Sequence, residues 1–160
     1  MKIRGYLFCA GLCLLVGSSI VADDWPQFRG PNSDGQAKGS ATPLEWSDTK
    51  NVAWKVKVPG LGWSSPSVVG EQVFLTTAVP KGDGLSLRCL SFNAATGQEI
   101  WNQEVFSLDS TPRIHKKNSH ASPTPLVKAG SVYVHFGTHG MAKLSAKDGA
   151  IDWKCTELQY

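Results

Sequence analysis

The stretch Ala94-Ala95-Thr96-Gly97-Gln98-Glu99-Ile100-Trp101 decides how this chain is read, because it recurs as Ala146-Lys147-Asp148-Gly149-Ala150-Ile151-Asp152-Trp153. In both copies small residues form a tight turn, a Gly follows, and a Trp stands four positions further on. A third Trp, Trp54, lies in a similar alternating run. The three Trp are spaced about 50 residues apart, a period that marks a repeated supersecondary unit.

Working outward from the turns gives the unit. Over residues 63–106, a short strand with an early Pro (Ser64 to Val69) is followed by the turn Gly70-Glu71. A β-branched and aromatic strand covers 72–78, a loop with Pro80 and Gly82 covers 79–84, and a third strand covers 85–92. The turn at 93–97 then leads into a fourth strand, 99–106, carrying Trp101. Residues 121–157 repeat this order: Ser122 to Val127, a turn at 128–130, strands over 131–137 and 141–145, the turn at 146–149, and a strand over 151–157 with Trp153. Upstream, residues 51–58 alternate Val52, Trp54, Val56 and Val58 with Ala53, Lys55 and Lys57, the period of a half-exposed strand. No stretch after residue 22 has a helical period. Four strands joined by short turns form one twisted antiparallel sheet, which buries its faces by stacking on the next copy. The expected fold is therefore all-β, with antiparallel four-stranded blades of a β-propeller: two complete blades (63–106 and 121–157), an extra strand around Trp54, and an incomplete ring. The Trp of each fourth strand is expected to bury its ring between blades and aim its N–H at a carbonyl, while each Gly takes φ > 0. That assigns blade docking to Trp54, Gly97, Trp101, Gly149 and Trp153.

The flanking segments read differently. Lys2 and Arg4 precede an uncharged apolar run from Tyr6 to Val21, and Ala22 stands just before Asp23-Asp24. This is the pattern of a secretory signal peptide over 1–22, cleaved near Ala22, and it places the mature protein in the periplasm or outside the cell. Residues 23–50 form an extended opening, with Trp25 and Phe28 expected against a neighbouring surface, and a loop from Asn32 to Thr42. Residues 51–160 form the partial propeller. The formal net charge of +3 falls to +1 once Lys2 and Arg4 leave with the leader. A near-neutral chain offers no electrostatic case for nucleic acid, nor for a membrane surface after cleavage. Cleavage also removes Cys9 and Cys13, leaving Cys89 and Cys155 either as a disulfide pair, which export permits, or as two separate small residues in strands.

The turn-and-Trp pattern resembles the tryptophan-docking repeat of the pyrroloquinoline quinone (PQQ)-type β-propellers, which runs roughly Ala-x-Asp-x-x-Thr-Gly-x-x-x-Trp. Asn93 stands at the Asp position, and Thr96, Gly97 and Trp101 match; the second copy keeps Gly149 and Trp153 but has Ser145 and Asp148 at the other two positions. The opening Asp24-Trp25-Pro26-Gln27-Phe28-Arg29-Gly30-Pro31 resembles a group of exported propellers of this family from planctomycete-like bacteria, as do residues 119–125 and 132–138. Closed propellers have about four to eight blades. The resemblance therefore implies an N-terminal fragment, or a chain whose partners are further blades or another protein.

Function is less legible. The first expectation is a non-enzymatic binding or scaffold module with no cofactor. Many propellers of this repeat type, the outer-membrane assembly lipoprotein among them, bind proteins and no quinone. The alternative is a fragment of a PQQ-dependent quinoprotein dehydrogenase. Such a site needs a calcium ion held by carboxylate and amide oxygens, an Asp general base, and commonly two adjacent Cys. Cys89 and Cys155 are not adjacent, and no acidic cluster stands out. A weaker alternative is a metal site on histidines. Of His115, His120, His135 and His139, the pair His135 and His139 would share a face if a strand ran straight through both. Ser64, Ser65, Ser119 and Ser122 near His120 lack the Gly-x-Ser-x-Gly elbow of a serine nucleophile.

Overall fold

Apolar runs separated by Gly-containing dipeptides fold into two four-stranded antiparallel sheets in a computed structural model that describes residues 23–37 and 43–158. The first sheet is β1 (Ser67–Val69), β2 (Gln72–Lys81), β3 (Gly84–Asn93) and β4 (Glu99–Leu108), hydrogen-bonded in that order. The second is β5 (Leu126–Lys128), β6 (Ser131–His135), β7 (Met141–Ser145) and β8 (Ile151–Cys155), again in chain order. No α-helix occurs among the described residues, and a single 3-10 turn, Gly137–His139, joins β6 to β7. The expected leader, 1–22, lies outside the described residues, as do positions 38–42 of the expected loop.

The largest departure from the sequence reading is at Pro80. A loop was expected over 79–84, yet the ladder continues through Pro80↔Leu85 to Lys81↔Gly84, and Gly82-Asp83 alone make the turn. In a two-residue hairpin the flanking pair, here Lys81 and Gly84, is the hydrogen-bonded one. The next pair is not, so the missing N–H of Pro80 costs the ladder nothing. Gly82, at φ +60°, supplies the left-handed first position that such a turn requires. The first sheet thereby gains a long β2–β3 hairpin that the second sheet lacks.

Two further expectations fail for want of partners. Residues 52–58 carry a strand-like alternation but pair with no ladder among the described residues. An extended run becomes a strand only beside another strand. Phe28 was expected to pack against a neighbouring surface, yet it is 62% exposed, while Trp25 forms an isolated two-bond bridge to Val68.

The two sheets face each other. Phe74, Ala78, Leu87, Cys89, Trp101, Val105 and Phe106 of the first meet Val127, Val132, Val134, Phe136, Ala142 and Leu144 of the second in one apolar cluster. Period two explains the selection, since alternate residues of each strand reach this layer and the others face away. Phe106 and Phe136 cross it edge-to-face at 6.0 Å, a favoured aromatic arrangement. Polar atoms at the inner margin are paired across the gap. Thr76 Oγ1 donates to Pro123 O at 3.2 Å, Ser67 Oγ to Pro125 O at 2.5 Å, and the Ser65 amide to Thr124 Oγ1 at 3.1 Å. Cys89 and Cys155 are both free thiols. The first faces this layer and the second lies on the opposite face of the second sheet, so the disulfide does not form.

Candidate functional site

The two quoted turns are built bond for bond alike. The Gly97 amide donates to Asn93 O at 2.8 Å, and the Gly149 amide to Ser145 O at 2.9 Å. Asn93 N donates to Gln98 O and Ser145 N to Ala150 O, both at 2.8 Å. Each turn is also tied to the preceding hairpin of its own sheet, through Ala94 N to Glu71 O and Ala146 N to Gly130 O. Side-chain support differs. Asn93 Oδ1 accepts from the Ala95 and Thr96 amides and from Thr96 Oγ1, whereas Asp148 Oδ1 accepts from the Ala150 amide, which also lowers the pKa of the Asp148 carboxyl.

On each turn sits a Trp from the preceding unit. Trp54 Nε1 donates to Ala94 O at 2.8 Å, and Trp101 Nε1 donates to Ala146 O at 3.0 Å. Their rings lie flat against glycine. A Cβ on Gly97 would stand 2.6 Å from the Trp54 ring, and one on Gly149 2.8 Å from the Trp101 ring. Gly97 and Gly149 have φ of +73° and +75°, so glycine is required twice over: for the left-handed backbone and for the closeness of the ring. Trp101 also tilts onto Phe74, centroid to centroid 5.9 Å. Trp54 makes this contact from the unpaired segment 52–58, so that segment stands where a fourth strand would stand. Trp153, the third Trp of the series, remains 40% exposed and tilts onto Tyr133 at 6.5 Å.

A second feature was not foreseen. Residues 60–65, where the sequence places the end of the alternating run at Pro59–Gly62 and the start of a strand at Ser64, form a strap along the free edge of β2, and β1 itself begins only at Ser67. Leu61 and Ala78 exchange both backbone hydrogen bonds at 2.9 Å. The Trp63 and Ser64 amides both donate to Ala121 O, at 3.0 and 3.1 Å, which ties the strap to the segment leading into the second sheet. Gly60 and Gly62 allow this approach. A Cβ on Gly62 would stand 2.6 Å from Thr76 O. The side chains of Leu61 and Trp63 nevertheless project outward, 75% and 61% exposed. Large apolar side chains on an anchored backbone are the feature that sequence reasoning missed. The signal was present in Gly60-Leu61-Gly62-Trp63, but only the tertiary contacts show what the glycines are for.

The histidines divide. β6 ends at His135 and the chain turns through Gly137–His139, so the shared face that a continuous strand would give His135 and His139 is not formed. His139 instead lies against His120, ring centroids 5.9 Å apart. Partial burial, then the neighbouring His120, lowers the His139 pKa below the ordinary imidazole value. His115 Nδ1 accepts from the Lys117 amide at 3.2 Å. The serines hold backbone. Ser64 Oγ accepts from Thr76 N at 3.1 Å, and Ser119 Oγ accepts from the Ala121 amide at 3.1 Å. Ser122 Oγ donates to Asn118 Oδ1 at 2.6 Å. Among the described residues no group of three or more His, Cys, Asp or Glu stands together. No helix among them is long and apolar enough to cross a membrane.

Stacked four-stranded sheets, strung in chain order and joined by a repeated contact, define a β-propeller repeat protein. Residues 36–156 match the family described as outer membrane protein assembly factor BamB, and the chain belongs to that family. The crystal structure of BamB from Moraxella catarrhalis is similar at 18% identity with a TM-score of 0.45, over 64% of this chain and 27% of that one. The chain therefore spans about a quarter of the length of that relative. No curated protein matches the sequence.

Proposed function

We propose that this chain is an exported, non-enzymatic protein-binding module of propeller blades, and that the Gly60-Leu61-Gly62-Trp63 strap is its contact face. The observation that carries this reading is the pairing of a fixed backbone with exposed apolar side chains. Leu61 and Trp63 are held by hydrogen bonds to Ala78 and Ala121, yet 75% and 61% of their surfaces face solvent. Preformed anchors lose little entropy on binding, and Trp is among the residue types enriched at the energetic centre of protein interfaces. The family description names an assembly factor, which agrees with a role exercised through partners. The leader-like residues 1–22 support a periplasmic or secreted location. Further blades are the second kind of partner. Trp153 stands at the position from which Trp54 and Trp101 each dock, and residues 52–58 stand as a fourth strand without the other three. No quinone takes part in this role.

The test is a photo-crosslinking residue placed at position 63 in the intact cell, with Lys147, at the opposite end of the sheets, as the control position. The proposal expects discrete protein adducts at 63, lost on Leu61→Ser and absent at 147. Equal labelling at both positions refutes the contact face. The cofactor arm is separate: PQQ with Ca²⁺ is added to purified protein, which is then gel-filtered. A quinone spectrum that travels with the protein would replace this reading with that of a quinoprotein fragment.

A further inference from the structure

The apolar strap has a charged neighbour. Residues 110–120, part of the connection between the two sheets, hold Arg113, Lys116 and Lys117 and no Asp or Glu. This segment is pinned at both ends. The Thr111 amide and hydroxyl donate to Asp83 O, in the β2–β3 turn, at 3.0 and 3.2 Å. At the other end Asn118 Oδ1 accepts from the Ser119 amide at 2.9 Å and from Ser122 Oγ at 2.6 Å, while Ser119 Oγ donates to Leu61 O at 3.4 Å. Ala121 O then holds the Trp63 and Ser64 amides. The basic segment therefore runs from the tip of the β2–β3 hairpin to the strap itself, beyond the end of β4. Repeated sheets contact one another through their faces. This segment lies past the strand ends, so a further sheet stacked on either face leaves it open.

The three cations are exposed and unspent. All 13 Asp and Glu of the chain lie among the described residues, and none of them forms an ion pair with Arg113, Lys116 or Lys117, not even Asp83 and Asp109 beside the first anchor. Lys50, Lys55, Lys81, Arg88 and Lys143, by contrast, each face a carboxylate. Arg113 and Lys116 line an open hollow of about 520 Å³ together with Ile114 and His115. Without its leader the chain is net +1, so a charge of +3 on residues 110–120 leaves the rest of the molecule at −2. One basic patch beside two apolar anchors, on a chain otherwise slightly acidic, suits a compact partner of opposite charge. It gives an extended polyanion little to hold.

We propose that the contact face takes an acidic segment of a partner protein: an apolar side chain of that segment packs on Leu61 and Trp63, and its carboxylates lie over Arg113, Lys116 and Lys117. This rests on the strap being the contact face and adds the chemistry of what the face holds. The arrangement is that of an interface with an apolar centre and a charged rim. The rim steers encounter and rejects partners of like charge, while the apolar anchors hold the complex once formed. Arg113 can grip a carboxylate through two parallel N–H bonds, whereas Lys116 and Lys117 act as point charges.

The test places the photo-crosslinking residue at position 114 as well as at 63 in the intact cell, and reads the crosslinked partner peptide by mass spectrometry. The expected result is the same protein at both positions, caught through a segment in which Asp and Glu outnumber Lys and Arg. The combined variant Arg113→Gln, Lys116→Gln and Lys117→Gln should lower the adduct yield at 63 about fivefold or more, because complementary charge governs encounter. Arg113→Lys with Lys116→Arg and Lys117→Arg should keep most of it. All three sites are exposed, so far-UV circular dichroism should be unchanged in both variants. An adduct yield at 63 indifferent to the Gln variant, or a partner segment without an acidic excess, overturns the acidic partner and leaves the contact face standing. Absence of adducts at both positions removes the contact face and this inference with it. Sedimentation with phosphatidylglycerol vesicles but not phosphatidylcholine vesicles, lost in the Gln variant, would assign the cations to a membrane surface and overturn the inference as well.

Discussion

Trp101 and Trp153 hold the same place in two copies of one sheet, and their surroundings differ. Trp101 is 9% exposed, with Ala146 O on its Nε1 and Gly149 under its ring, whereas Trp153 is 40% exposed and rests on Tyr133. The residue and its register are alike in the two copies, Trp101 beside Ser91 of β3 and Trp153 beside Lys143 of β7. What differs is whether a neighbouring turn lies beneath the ring. Burial of this Trp is therefore a property of the joint between sheets and not of the sheet that carries it, so the stability it supplies depends on the neighbour.

That contrast can be tested by substitution. Trp101→Ala removes a buried indole from the inter-sheet layer and should cost about 3–5 kcal/mol in denaturant unfolding, the range for a large aromatic cut to Ala in a core. Trp153→Ala should cost about 1 kcal/mol or less, as expected for a half-exposed side chain. Equal costs would break the comparison. The glycines give a second contrast. Gly149→Ala meets both a left-handed backbone and the Trp101 ring, and should destabilise by roughly 2–4 kcal/mol. Gly130, at φ +74° with nothing within 4 Å of an added Cβ, carries the backbone cost alone. Its Ala variant should lose about 1 kcal/mol in the same assay.

Smaller effects sharpen the comparison of the two turns. Asn93 Oδ1 accepts three hydrogen bonds, so Asn93→Ala should lower stability by about 1–2 kcal/mol. Asp148→Ala, at an exposed carboxylate, should lower it less, and the two melting curves compare them directly. The smallest effect concerns pH. His139 has a folded-state pKa below the ordinary 6.5, set by partial burial and then by His120. The fold thus favours neutral His139. As pH falls from the ordinary value through the lowered one, the unfolded chain takes up the proton first and stability declines. His139→Gln should flatten that part of the stability profile, and an unchanged slope would remove His139 as its source.

Much of this was legible in the sequence because the signals are local. Gly and Trp four apart, alternating apolar runs and Gly-containing dipeptides specify hairpins in chain order, and hairpins in chain order leave one sheet topology. Tertiary facts were not legible. Nothing near Trp54 in the chain says that its ring lies on Gly97, because the partner is in the next unit. Pro80 reads as a loop residue until the hairpin register places its missing N–H on the unbonded side of the ladder. The Pro59–Gly62 stretch reads only as the end of a strand until the β2 edge is seen to run beside Gly62.

The central claim, that a Trp laid on a left-handed Gly joins one sheet to the next, is tested most directly by a double-mutant cycle on Trp101→Ala and Gly149→Ala, read by equilibrium unfolding. If the ring and the glycine are one joint, Gly149→Ala in the Trp101→Ala background costs only its backbone strain, and the cycle returns a coupling of about 1–3 kcal/mol. Additive costs, with coupling within about 0.5 kcal/mol of zero, would contradict the account.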